Sequence, residues 1–185
     1  NDLMAFERER NAALKHPLYD VFPNKVPINV GVVRAGNWAS TVPEILEAEV
    51  RVGFLPGEEL GGFKRVVTER IMAAAQRDPW LRLHPPVINF FGGQFIAAET
   101  PSDAPICDAI RAAHRRVIGT DAATEAATYG ADMRHFITFG GMPCVMYGAG
   151  DIRVAHAPDE YIEVEDLLTA VKVVALTLVE WCGVV

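Results

Sequence analysis

The sequence has only three cysteines, Cys107, Cys144 and Cys182, set far apart with no C-x-x-C pair. An odd, scattered set of this kind argues against a disulfide framework and against a cysteine zinc site, and a reducing cytoplasm is the expected compartment. Basic blocks are missing as well: no run of Lys or Arg exceeds a pair such as Arg115-Arg116, and the formal net charge is -7. The resulting field repels phosphate, so neither nucleic acid nor an anionic membrane is expected as a partner. No long apolar run occurs. The longest stretch is broken by Lys172 and Thr177 and falls short of the roughly 18 to 20 residues that span a bilayer. Repeats and low-complexity segments are absent too. The chain opens "NDLMAFERERNAALKHP" without Met or a signal peptide, and is expected to enter an amphipathic helix as a piece of a longer protein. What is present is 185 residues, 50% apolar and 22% charged, enough for one ordinary domain or two small ones with a buried core.

Periodicity sets out the elements. "INVGVV" reads as a strand, and in "LEAEVRVGF" Leu46, Ala48, Val50, Val52 and Phe54 alternate with Glu47, Glu49, Arg51 and Gly53, the period of a half-buried strand. Phe63, Val66, Val67, Ile71 and Ala74 then recur at helical spacing up to Pro79, and "VINFFGG" reads as a further strand. The order helix, strand, strand, helix, strand becomes a ferredoxin-like β-α-β-β-α-β motif once a strand is placed in front. Residues 28 to 92 are therefore expected to form three antiparallel strands with both helices on one face. "GGQFIAAETPSDAP" reads as a linker, which puts a boundary near residue 98. Beyond it, Ser102 or Asp103 is expected to cap a helix lined by Ile106, Ile110, Ala113 and Val117. "MPCVMYG" suits a strand buried on both faces, delivering the chain to Gly148-Ala149-Gly150 and His156. From Glu163 an apolar helix with acids in its first turn is expected to pack deep against that sheet.

His156 has three readings: metal ligand, general base, or a polar residue tied down by Asp159 or Glu160. Spacing does not choose among them, because a metal site needs three or four ligands. In "YGADMRHF", Asp132 is placed to cap a helix and Arg134 offers a planar fork that suits either a substrate carboxylate or a surface ion pair. His135 reads as a half-buried helix residue, and His16, His84 and His114 as solvated or structural.

"GADMRHF", "GGMPCVMYGAGDI" and "AHAPDEYIEVEDL", in this order and spacing, resemble the C-terminal catalytic segment of the zinc-dependent aminoacylase, acetylornithine deacetylase and succinyl-diaminopimelate desuccinylase family. That family also includes glutamate-releasing carboxypeptidases. "GNWASTVPEILEAEVRVGFLPGE" is similar to the loop and strand of the family's inserted dimerisation, or lid, domain. The resemblance implies an α/β protein in two parts. Residues 1–98 would be the ferredoxin-like lid lacking its first strand, and residues 99–185 the C-terminal segment of a zinc-hydrolase catalytic domain. It further implies that His156 is the last ligand of a two-zinc site, with cobalt or manganese as alternatives, and that Arg134 anchors the substrate's α-carboxylate. Gly148 to Gly150 would form the wall of the site, with Asp159 and Glu160 orienting the His156 loop. Many relatives have Asn before Val-Pro where this chain has Ser40 before Thr41-Val42-Pro43, a departure from the pattern by which the resemblance implies a substrate-facing position for Ser40. The remaining zinc ligands, the Glu base and an oxyanion-stabilising histidine are implied to lie upstream. On its own the chain is therefore expected to be inactive and to bind zinc weakly or not at all. The implied protein is a homodimeric deacylase of N-acyl amino acids, acetylornithine deacetylase-like. The alternatives are a dipeptidase or carboxypeptidase of the same family, or a non-catalytic ferredoxin-like dimerisation module.

Overall fold

The computed structural model describes residues 2–183. They divide into two compact units, one running to Ala97 and including Ala126–Gly130, the other comprising Ala98–Glu125 and the chain from Ala131 onward. No helix among the described residues is long and apolar enough to cross a membrane.

The first unit contains α1 (Asp2–Ala13), β1 (Ile28–Ala35), β2 (Leu46–Val52) and α2 (Leu60–Ala75). The strands pair antiparallel from Ile28 opposite Val52 to Ala35 opposite Leu46, with an irregularity between Val30 and Val32. That extra residue, Gly31, puts β1's alternation back in phase. Ile28, Val30, Val33 and Ala35 all lie opposite Val52, Val50, Ala48 and Leu46, so one face of the ladder is apolar along its whole length. Phe6 of α1 and Phe63 and Val67 of α2 form a buried cluster against Ile28, Val52, Phe54 and Ile71, which places both helices on this face. The far end of the hairpin, including Val33 and Leu46, is exposed. Along α2 the packed stripe is Phe63, Val67, Ile71 and Ala75, spaced by four; Val66, expected inside, is exposed.

Polar side chains of α1 hold the entry to β1. Glu7 accepts the backbone N–H of Ile28 at 2.9 Å, and Asn11 accepts those of Lys25 at 2.8 Å and Val26 at 3.3 Å. Arg10 is buried, with its guanidinium 4.5 Å from the centroid of Phe63 and 5.8 Å from that of Phe6. It donates to the Gly53 carbonyl and to both carboxylate oxygens of Glu58, each at 2.7 Å. Glu58 in turn accepts the Leu55 N–H. One side chain thus joins α1, the end of β2 and the approach to α2.

Two expected strands are not formed. The segment 87–93 is irregular and the sheet has two strands, not three. In the ferredoxin-like arrangement the last strand lies beside the first, and no strand precedes α1 among the described residues. The second unit contains α3 (Pro105–Ile118), α4 (Met133–Thr138), a 3-10 turn (Ile152–Val154) and α5 (Val164–Cys182). Segment 142–148, expected as a doubly buried strand, is also irregular, and Met142 and Met146 are exposed. A strand needs at least one neighbouring strand to bond its backbone, and no strand occurs among the described residues of this unit. α5 accordingly packs on α3, with Val173 and Thr177 buried, rather than on a sheet, while Leu167, Val171 and Leu178 remain exposed. The cap of α3 is Ala104, not Ser102 or Asp103. Pro105 at the first helical position has its φ fixed in advance and no N–H that needs a partner.

The Arg10 fork generates a stability prediction. Arg10→Ala strands a half-buried carboxylate and uncovers two aromatic faces, so it should cost about 3 kcal/mol. Urea denaturation followed by circular dichroism should show this as a lower midpoint. A loss under about 1 kcal/mol would instead class the pair with exposed ion pairs.

Candidate functional site

Ser40 is exposed in the β1–β2 connection, whereas Arg134 lies on α4 and Gly148, Gly150, His156, Asp159 and Glu160 lie in the connection from α4 to α5. Asp132 precedes α4 as its cap residue but makes no side-chain cap bond. Its carboxylate lies 3.6 Å from Arg134 Nη1 and 3.8 Å from His135 Nε2. The Arg134 side chain is 16% exposed and donates from Nη1 to the Ala131 carbonyl at 3.2 Å. His135 stacks on Phe139, with centroids 5.7 Å apart. α4 then ends in a turn where an added Cβ at Gly140 would sit 2.6 Å from the Phe136 carbonyl oxygen, a close approach that only glycine permits.

The extended segment that follows is held by side chains. Thr100 Oγ1 donates to the Cys144 carbonyl at 2.5 Å and accepts its N–H at 3.1 Å. Three residues on, the Tyr147 hydroxyl and His114 Nδ1 of α3 share a hydrogen bond of 2.8 Å, with the rings edge-on at 5.9 Å. Burial raises the Tyr147 pKa. Gly148 and Ala149 line an open apolar groove of ≈ 410 Å³ along α5, with Ile162, Leu167, Val171 and Leu178. Gly150 has φ +90, which disfavours a side chain there; at Gly148 an added Cβ would meet nothing within 4 Å.

Asp151 starts the 3-10 turn by accepting the Arg153 N–H at 2.9 Å, and the Arg153 guanidinium pairs with the same carboxylate. The His156 loop follows. His156 and Asp159 adopt left-handed backbone conformations, φ 60 and 59, which cost a β-carbon-bearing residue on the order of 1 kcal/mol or more. The Glu160 carboxylate accepts the His156 backbone N–H at 2.9 Å, so of the two acids proposed to orient this loop it is Glu160 that braces it directly. His156, Asp159 and Glu160 are all exposed. Among the described residues no three His, Cys, Asp or Glu side chains gather around a point that would hold a metal ion. His156 is thus a single imidazole facing outward, and the described residues alone do not fit a metal site. Sequence reasoning left His114 among the solvated or structural histidines and did not single out Tyr147 or Thr100. The signal for His114 was its place four residues after Ile110 and seven after the buried Cys107, which puts it beside the packed stripe of α3.

Comparison with known proteins adds four findings. The model of the family described as Peptidase family M20/M25/M40 matches residues 31–180. An N-formyl-4-amino-5-aminomethyl-2-methylpyrimidine deformylase of Halalkalibacterium halodurans is 22% identical over 95% of this chain and 43% of its own length. An acetylornithine deacetylase of Myxococcus xanthus is 25% identical over 87% of this chain and 40% of its own length. Among solved structures, the crystal structure of an M20 family metallo-carboxypeptidase from Sulfolobus solfataricus superposes with a TM-score of 0.61 at 16% identity. That match covers 94% of this chain and 44% of that one. The chain therefore spans less than half the length of these relatives.

The turn before His156 generates a pH prediction. Hydrogen bonds from the Arg153 side chain, then from its backbone N–H, hold the Asp151 carboxyl at about 2, below its usual 3.8. A depressed carboxylate contributes its stabilisation fully above the usual value and loses it as pH falls from there through about 2. In an NMR titration Asp151 should therefore have its midpoint near about 2. Arg153→Ala should move it up toward the usual value, so that the turn loosens at a higher pH than in the parent chain.

Proposed function

The chain belongs to peptidase family M20/M25/M40, and on that premise we propose that it forms the C-terminal half of a metal-dependent amidohydrolase that deacylates N-acyl amino acids. The observation that carries this reading is chemical. The named relatives are a deformylase of an N-formyl compound and a deacetylase of acetylornithine, so both names describe removal of an acyl group from nitrogen. In this reading His156 is one zinc ligand, with cobalt or manganese as alternatives, and Glu160 positions its backbone. Arg134 takes the substrate α-carboxylate in a two-pronged hydrogen bond, Gly148 and Gly150 border the site, Asp159 shapes the ligand loop and Ser40 faces the substrate. Zinc, when bound, would supply a water acidic enough to attack at neutral pH. The described residues contribute one of the three or more ligands such a site requires, so no reaction step is assigned to them alone. The uncovered apolar face of α5 and the short coverage of the relatives are in keeping with a chain that functions alongside further polypeptide.

A carboxypeptidase or dipeptidase is the second reading, favoured by the metallo-carboxypeptidase whose fold this chain shares. The open edges of the β1–β2 hairpin suit pairing between two copies, and we place a homodimer interface there. Sedimentation of the complete hydrolase as a monomer at micromolar concentration would remove that interface.

Arg134 separates the substrate classes, because acetylornithine bears an α-carboxylate and the name of the aminomethylpyrimidine compound includes none. In the complete hydrolase, Arg134→Lys should keep the metal content and lower kcat/KM for N-acyl amino acids by roughly thirtyfold or more, with little change for N-acyl amines. His156→Ala should lower metal content and activity together. Retention of carboxylate preference by Arg134→Lys would remove the amino-acid assignment, and full metal content in His156→Ala would remove the ligand assignment.

A further inference from the structure

The turn that leads from segment 142–148 to the 3-10 helix and on to His156 has no sheet beneath it among the described residues of its own unit. An irregular segment without ladder bonds keeps one geometry only where side chains fix it. Two places do so: Cys144, bracketed through its backbone by Thr100, and Tyr147, whose hydroxyl meets His114 Nδ1 at 2.8 Å. Tyr147 is the last residue before Gly148 and is half-buried, and its ring is set edge-on against the imidazole. Immediately after it, Gly148 and Ala149 lie along the apolar groove of α5. α3 packs on α5, so the turn is held at its start by one helix and seated on the other.

We infer that His114 is a positioning residue: through the Tyr147 hydroxyl it anchors the Gly148–Gly150 turn to α3 and thereby sets where the His156 loop begins. This inference rests on the reading of that turn and loop as the working edge of the site, but its test does not depend on metal or turnover. The chemistry is specific. Tyr147 offers one hydroxyl, and imidazole Nδ1 sits close enough to the helix backbone for an asparagine amide to take its place, whereas alanine leaves nothing within reach.

The experiment is amide hydrogen exchange on the 185-residue chain, read at Arg153, Val154, Ala155 and His156, whose N–H groups are bonded within the loop to Asp151, Ile152 and Glu160. Tyr147→Phe keeps the ring and removes the bond; exchange at these amides should rise roughly three- to tenfold, the worth of one ordinary hydrogen bond, with α3 and α5 unchanged. His114→Ala should do the same and His114→Asn should restore slow exchange. Unchanged loop exchange in Tyr147→Phe, an equal rise throughout α3 and α5, or an asparagine variant no better than alanine would each overturn the inference. A failed metal assignment would show instead in His156→Ala, leaving these exchange rates as they are.

Discussion

Every backbone amide removed from water has to find a partner, and this chain contains more strand-like segments than paired strands. Among the described residues only β1 and β2 pair with one another. Elsewhere short polar side chains substitute for neighbouring strands. Glu7 and Asn11 take the N–H groups leading into β1, Thr100 occupies both backbone groups of Cys144, and Glu160 takes the N–H of His156. The arrangement is local and directional, so each segment is held at points rather than along its length. Loops held at points are suited to presenting a functional group, since a few bonds decide where it lies.

The helices were legible because their stabilising contacts repeat within a few residues. Phe63, Val67 and Ile71 on α2, and Ile110, Ala113 and Val117 on α3, give themselves away by spacing. Segments "VINFFGG" and "MPCVMYG" read as strands but are irregular, because alternation and apolarity state only that a segment would accept neighbours. His156 and Arg134 stood out through motifs that survive as contiguous letters. Arg10 with Glu58 and His114 with Tyr147 did not, being 48 and 33 residues apart. A histidine next to two arginines reads equally as solvated or structural until the partner that covers it is in place.

Burial of Arg10 and exposure of much of α5 follow one logic. A guanidinium can be taken inside where two aromatic faces and a carboxylate meet it together. Leu167, Val171 and Leu178 stay about half exposed because the described residues line the groove along α5 without filling it. Polarity alone sorts neither case; the available partner does. The same rule separates Glu58, held by Arg10 and the Leu55 N–H, from Asp159, which has a left-handed backbone and an exposed side chain.

The extra residue at Gly31 divides β1 into two short runs of opposite parity, one reading apolar on even numbers and the other on odd. An eight-residue average over such a strand cancels itself, although each half is fully ordered. Length changes in this hairpin therefore act as inversions. Losing one residue near Gly31 would leave the composition almost untouched while turning every side chain on one side of the loss to the opposite face, so homologues with a hairpin one residue shorter or longer should carry a mirrored pattern in half of the strand.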